Sequence, residues 1–301
     1  MKFSLKSNLL ILHLTVLVWG FTGILGALIS INEIYLVWYR VLIAVTTLYI
    51  YFKWSNTTFK VNRETFIKLF FTGAIVGLHW ILFFGSIKAS TVSVAMVCLS
   101  SLTLFTAVLE PLLNKSRMSK LEILAGLFII FGIYLIFKFE TQYQTGIIMG
   151  LCCALCASIL SIINSKQVKN RDASIIGFYE LTGAFFWISL YLLFTGGFNS
   201  EIKLPFSDVI YLLILGTICT SVAYVAGVSV MKELSAFRVA LITNLEPVYA
   251  IILALIIFGK NEQMTFGFYA GASIILGTIF LYPVVKNKIA KRKLRKSIPL
   301  V

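Results

Sequence analysis

The stretch TNLEPVYAIILALII, residues 243–257, sets a carboxylate and a proline, Glu246 and Pro247, inside an otherwise apolar run. The meaning of that pair depends on what surrounds it. The chain has 301 residues, of which 59% are hydrophobic and only 13% charged. Soluble domains run at about 45–50% apolar and about 25% charged. Too few charges remain to cover a soluble globule, so the solvent to consider is the bilayer.

Working outward from residue 243, apolar blocks recur at roughly 8–30, 34–52, 66–86, 91–113, 121–138, 146–165, 174–195, 209–230, 235–258 and 265–285. A hydrocarbon core of about 30 Å takes about 20 residues of helix. Backbone groups in lipid must be satisfied internally, which leaves helices or closed barrels. These blocks are too long and continuous for alternating barrel strands. The expected fold class is an all-α integral membrane protein with ten transmembrane helices. The connectors, such as SNTTFKVNRE at 55–64 and GGFNSEIKLPFSD at 196–208, carry turn formers and hold no separate soluble domain or Walker A sequence.

Ten spans put both termini on one side, and the basic residues test this. With the ends cytoplasmic, that side holds 21 Lys and Arg residues. The opposite side holds four, Lys88, Lys138, Lys203 and Lys260, with Arg40 left in or near the second helix. The bias follows the positive-inside rule. It places a multi-pass protein in the cell's inner (cytoplasmic) membrane with both termini cytoplasmic. Lys2 and Lys6 before LLILHLTVLV resemble a signal peptide, but the apolar run continues through Ile31 without a convincing cleavage site. A retained first helix is expected.

The net charge of +14 raises the question of nucleic acid. Much of the excess sits in KNKIAKRKLRKS, residues 286–297, directly after the last block. That is where a topology signal or a contact with anionic membrane lipid belongs. No nucleic-acid partner is expected. The five cysteines, Cys98, Cys152, Cys153, Cys156 and Cys219, all lie in apolar blocks. They read as small packing residues rather than a disulfide framework or redox site. His13 and His79 are too few and too isolated for a metal site. No cofactor is expected.

The chain also repeats itself. A shift of 144 residues sets Lys88 on Lys232, Gly77 on Ser221 and Trp80 on Tyr224. A shift of 140 sets Trp38-Tyr39-Arg40 on Phe178-Tyr179-Glu180. AGLFIIFGIYLI at 125–136 matches AGASIILGTIFL at 270–281 in style. Two units are expected, 1–140 with helices one to five and 141–285 with helices six to ten, followed by a basic cytoplasmic tail at 286–301. Five helices per unit is odd, so the second unit enters the membrane from the opposite side. Inverted repeats of this kind give two nearly equivalent packings with a site between them near the midplane.

The segments LVWG at 17–20, VWYR at 37–40, SSLTLFTAVLEPLL at 100–113 and NLEPVYAIILALIIFGK at 244–260 resemble the EamA family of the drug/metabolite transporter superfamily. The resemblance covers almost the whole chain and implies ten helices in two EamA repeats. It also implies export of amino acids or other small metabolites without ATP hydrolysis, in several members coupled to protons or by exchange. The chain departs from the family pattern at Thr103, where the first repeat often has proline, and near Ser116, where a glutamate is usual. Glu262 keeps that glutamate in the second copy.

Candidate site residues are the polar and aromatic groups inside the blocks. Proline removes an intrahelical hydrogen bond, so Pro247 frees the carbonyl near Thr243 and can kink helix nine. Asn244 and Glu246 could then line an aqueous cavity. An unpaired charge at the bilayer centre costs several kcal/mol, so Glu246 must be paired, protonated or facing water, or else be a packed structural acid. Arg40 and Glu180 occupy matching places in helices two and seven. Arg40 suits a substrate carboxylate or a pair with an acid, Glu180 among them, and Arg40 and Glu180 alike suit snorkelling to an interface. Glu110 and Pro111 read as a gate, a kink or an interfacial pair. Trp19, Trp80, Tyr39, Tyr179 and Tyr224 are candidate cavity walls, with interfacial anchoring or packing as the alternative. His79 reads first as a hydrogen-bonded structural residue and second as a proton-transfer group. The GAIVG spacing of Gly73 and Gly77 reads as helix packing.

The function these features favour is a secondary transporter. It would export or exchange a small organic metabolite, amino-acid-like or drug-like, by alternating access, with protons as a candidate coupling ion. The alternative is an uncoupled facilitator or channel. A membrane enzyme or a non-transporting scaffold is weaker, since no HExxH, aspartate-rich or serine-nucleophile motif is present. The sequence sets no oligomeric state.

Overall fold

The structure is a computed structural model and describes residues 5–113 and 120–297. Among these residues every regular element is helical. Helix α1 spans Leu5–Leu28, α2 Glu33–Trp54 and α3 Arg63–Ala89. Helix α4 is Val92–Leu99 followed by Leu102–Leu113, and α5 is Lys120–Phe139. Helix α6 spans Gln144–Gln167 and α7 Ala173–Phe194. Helix α8 runs Phe206–Gly216, Thr217–Val222 and Ala223–Val230. Helix α9 is Ala236–Thr243 and Leu245–Phe258, and α10 is Phe266–Ser297. Nine segments among the described residues are long and apolar enough to cross a membrane, and α5 adds a shorter apolar helix, Ile123–Phe139. The helix of α10 continues through the basic segment to Ser297.

Large apolar side chains such as Leu10, Ile50, Leu127 and Ile256 lie exposed on the outside of the bundle. In water such a surface would drive aggregation; against lipid tails it is the matching face. Helix α4 is the inner element, with 72% of its most apolar window buried. The ends are capped locally. Asn32, Asn62, Thr91 and Ser235 each accept a backbone N–H of the first turn of α2, α3, α4 and α9.

The two halves interlock. Helix α3 packs on α6 as α1 packs on α8, α4 on α6 as α1 on α9, and α2 on α8 as α3 on α7. The remaining strong pairs, α2 with α7, α4 with α9 and α5 with α10, join counterparts. Exchanging the halves therefore preserves the contact pattern. The two broken helices obey the same exchange. Helix α4 breaks at Ser100-Ser101 and α9 at Asn244, and Ser100 is the counterpart of Asn244 under the 144-residue shift.

The closest crossing is between α3 and α7. A Cβ on Gly73 would lie 2.3 Å from the Glu180 carbonyl oxygen, and one on Gly183 would lie 2.3 Å from that of Phe70. Only glycine permits this approach. Gly77 faces Ile188 and Ala184 on the same helix, so the GAIVG spacing serves packing.

Hydrogen bonds sew one end of the bundle together. Asp208 Oδ2 accepts from Ser30 N at 2.9 Å and from Ser30 Oγ at 2.8 Å. Lys88 Nζ donates to the carbonyls of Ile29 and Ile31. Glu262 accepts from Val92 N and Ser93 N, each at 2.9 Å, capping α4. Glu140 Oε1 accepts from Thr265 N at 2.8 Å. The other end is joined by Arg171 donating to Thr65 Oγ1 at 2.6 Å and by Lys169 donating to the Met231 and Lys232 carbonyls.

Candidate functional site

Between the halves lies a cavity of about 140 Å³. Helix α1 contributes Trp19 and Thr22, α2 contributes Arg40, and α3 contributes His79, Trp80 and Phe83. The far wall comes from Ser161 and Asn164 of α6, Tyr224 and Met231 of α8, and Val239, Thr243 and Glu246 of α9. Met231 ends α8 and Val239 lies in the first segment of α9. The cavity thus runs from Arg40 and Trp80 toward the end of the bundle that carries the 231–235 connector, away from the sewn end.

Arg40 is 2% exposed, so it is not a snorkelling residue. Its guanidinium carbon lies 4.1 Å from the centroid of the Trp80 ring and 5.4 Å from that of Phe84. Its Nε donates to Thr220 Oγ1 at 2.5 Å. Thr220 lies in the π-helical turn Thr217–Val222 of α8, a local widening of the helix at the point where it meets Arg40. Within that turn Thr220 and Ser221 return hydrogen bonds to the carbonyls five residues back, Leu215 at 2.6 Å and Gly216 at 2.9 Å.

A cation at the helix centre costs about 2.5–3.5 kcal/mol. A desolvated cation–π contact contributes about 2 kcal/mol and a hydrogen bond to a charged group about 1.5–3 kcal/mol. Together these offset the burial without any anion. One guanidinium nitrogen, Nη1, remains buried without a hydrogen-bond partner.

Glu246 lies across the same cavity. Among the described residues the only ion pair within 4.0 Å is Lys68–Glu64 on the surface, so Arg40 and Glu246 interact electrostatically without touching. The break at Asn244 makes Glu246 a first-turn residue of Leu245–Phe258, where the helix dipole favours a negative charge. Pro247 follows in the same turn, where a missing N–H is tolerated. The proline therefore sits at a restart of the helix rather than at a kink within it.

Several expected cavity residues lie elsewhere. Asn244 does not line the cavity; its Nδ2 donates to Thr103 Oγ1 on α4 and to the Ala240 carbonyl at 2.7 Å. It bridges the two broken helices, joining Thr103 of α4 to the last turn before the break in α9. Tyr39 and Tyr179 are not cavity walls either. The Tyr39 hydroxyl donates to Ile202 O at 2.7 Å and that of Tyr179 to Phe59 O at 3.0 Å. Each thus ties its helix to a connector of the other half, as the exchange symmetry requires. Glu180 is 0% exposed, so it does not reach an interface, and it lies behind the cavity wall. Its Oε2 accepts from Tyr224 OH at 2.6 Å and from Asn164 Nδ2 at 3.2 Å. Glu110 and Pro111 stand in the last turn of α4, away from the cavity. Ser116 lies outside the described residues.

Trp19, Trp80, Tyr224 and His79 do line the cavity. Trp80 and Tyr224, counterparts under the shift, meet edge to face with ring centroids 5.9 Å apart. Gly227 leaves room for Trp19, whose Cη2 would lie 2.7 Å from an added Cβ. His79 Nδ1 lies 3.0 Å from the Cys153 carbonyl, which can only accept, so Nδ1 carries the proton and Nε2 is left as an acceptor. Among the described residues no group of three or more His, Cys, Asp or Glu side chains could hold a metal ion. Thr22, Thr220, Ser161 and Asn164 belong to the site and were not singled out from sequence, since isolated Ser, Thr and Asn residues in apolar helices carry no distinctive spacing.

Comparison with known proteins agrees with this layout. The profile of the EamA-like transporter family matches residues 6–138 and again 144–282. An uncharacterized transporter of Archaeoglobus fulgidus is 24% identical over 283 residues, covering 90% of this chain and 96% of that protein. An uncharacterized transporter of Clostridium kluyveri is 23% identical over 205 residues, covering 64% of this chain and 61% of its own length. A crystal structure with 14% sequence identity superposes with a TM-score of 0.68 over 94% of this chain and 99% of that one, which is a likeness of fold alone.

Proposed function

Because the chain belongs to the EamA-like transporter family, whose profile matches both halves, we propose that it is a secondary transporter working by alternating access. It exports or exchanges a small organic metabolite, amino-acid-like or drug-like. The observation that carries this reading is the cavity between two interchangeable halves. It holds a cation with an unpartnered nitrogen, Arg40, and a separated carboxylate, Glu246. A carboxylate or other anionic group of the solute meets Arg40 Nη1. A cationic group meets Glu246, and an apolar body packs against Trp19, Trp80 and Tyr224.

Ten spans with both termini on the cytoplasmic side of the inner membrane follow from the distribution of 21 basic residues against four. In that orientation the sewn end faces outward and the cavity reaches toward the cytoplasm. The five-helix halves are then inverted repeats, and rocking one against the other exchanges the open end. A free-running channel would have no need of the sewn end, which favours alternating access over a continuous pore.

The test is transport by purified protein in liposomes, screened with amino acids, organic cations and other metabolites, with and without a proton gradient. Saturable flux that is lost in Arg40→Ala supports the reading. Conductance without saturation would replace it with a channel.

A further inference from the structure

The two buried acids of the core sit in opposite surroundings. Glu246 has a helix N-terminus at its back and Arg40 across the cavity. Glu180 has neither. It stands inside α7, and the polar side chains that reach it are Tyr224 of α8 and Asn164 of α6. Helix α3 presents backbone at the Gly73 crossing. Helix α2 presents apolar Leu48 beside neighbouring Gly177. No charged or titratable group of α2 or α3 acts on it. An ionised carboxylate buried without a cation costs far more than one hydrogen bond from tyrosine and one from asparagine supply.

The hydrogen-bond inventory carries the point further. Glu180 Oε1 and Asn164 Oδ1 are both buried and both lack a partner. An ionised glutamate can only accept, so it leaves both orphaned. A protonated one turns one carboxyl oxygen into a donor, and the residue with the unfilled acceptor, Asn164, is the one whose amide already donates to Oε2. One proton removes the charge that the cluster otherwise buries without a cation.

We propose that Glu180 is a proton-binding site of this protein, one side chain behind the cavity wall, with Tyr224 and Asn164 relaying its occupancy to the cavity. Tyr224 and Asn164 line the cavity and their side chains meet each other at 3.2 Å. Tyr224 carries the proton, passing its hydroxyl proton to Oε2 as it takes another from the cavity side, and Asn164 holds the hydroxyl and the carboxylate in place. Binding converts the carboxylate from −1 to neutral. Release leaves a buried anion whose donors are Tyr224 and Asn164 alone. The matching place in the other half holds Arg40, a charge that does not titrate in the working range. The proton site is thus present in one half only. Its use in driving transport rests on the transporter reading; the site itself does not.

The test needs no solute. Infrared difference spectra of the purified, reconstituted protein are recorded against pH in light and heavy water, for wild type, Glu180→Gln, Tyr224→Phe and Glu246→Gln. The expected result is a protonated-carboxyl carbonyl band at neutral pH that shifts in heavy water and fades at alkaline pH. It is lost in Glu180→Gln and retained in Glu246→Gln. In Tyr224→Phe it moves in frequency, because Oε2 has lost its hydroxyl donor. Identical carboxyl bands in wild type and Glu180→Gln across the range would overturn the proposal. If Glu180→Gln does not fold, Tyr224→Phe decides alone, and a band it leaves unmoved overturns the proposal equally. A proton site found in a protein that moves no solute would sink the transporter reading and leave this one standing.

Discussion

Arg40 is held by a ring face and one hydroxyl, and this sets what its replacement should do. Lysine keeps the charge but loses the planar fork that stacks on Trp80 and reaches Thr220. Arg40→Lys should lower flux of carboxylate-bearing solutes on the order of tenfold, the loss of one charge-assisted hydrogen bond, and leave simple amines less affected. Equal loss for both classes would mean that Arg40 is structural. Glu246→Gln should do the reverse, weakening cationic and zwitterionic solutes most. Flux unchanged for every solute and pH would remove Glu246 from the site. Both residues stand out in sequence because an ion inside an apolar block has few places to go. Tyr39 and Tyr179 mislead for the opposite reason. A tyrosine near a helix end can line a cavity or reach a connector, and only the partner carbonyls of Ile202 and Phe59 distinguish the two.

The helices themselves were legible from the length of their apolar runs, and the glycines of α3 from their spacing. The breaks were half legible. Pro247 marks the one in α9, whereas the break in α4 at Ser100-Ser101 has no proline and shows only through the 144-residue correspondence with Asn244. The π turn of α8 leaves no mark at all, since Thr and Ser in an apolar helix are common. The α3–α7 crossing makes a prediction of its own. Gly183→Leu would drive a side chain into the Phe70 carbonyl, a backbone atom that cannot rotate away. The variant should lose about 1–3 kcal/mol or more of stability, read as a lowered thermal midpoint in detergent. Gly277→Ala in α10 is the control, because its Cβ would meet nothing within 4 Å and its backbone is helical.

Across the whole molecule the halves are interchangeable in their contacts but not in their charges. Arg40 answers Glu180, and Leu102 stands where the second half has Glu246. In the alternating-access mechanism proposed above, the symmetry would supply two packings of similar energy and the asymmetric polar groups would decide which ligand favours which. At the sewn end Asp208 and Glu262 accept backbone N–H groups at 2.9 Å across the halves. Removing those carboxylates should shift the population toward the opposite opening. The direct measurement places a single cysteine at Ser161 in the cavity wall, with the five native cysteines replaced, and labels oriented vesicles with a membrane-impermeant maleimide. Alternating access predicts labelling from the face that bears the 231–235 connector in the parent protein. It predicts a several-fold gain from the opposite face in Asp208→Asn/Glu262→Gln, at the expense of the first. Labelling from both faces in the parent, or from one face regardless of the substitutions, would contradict it.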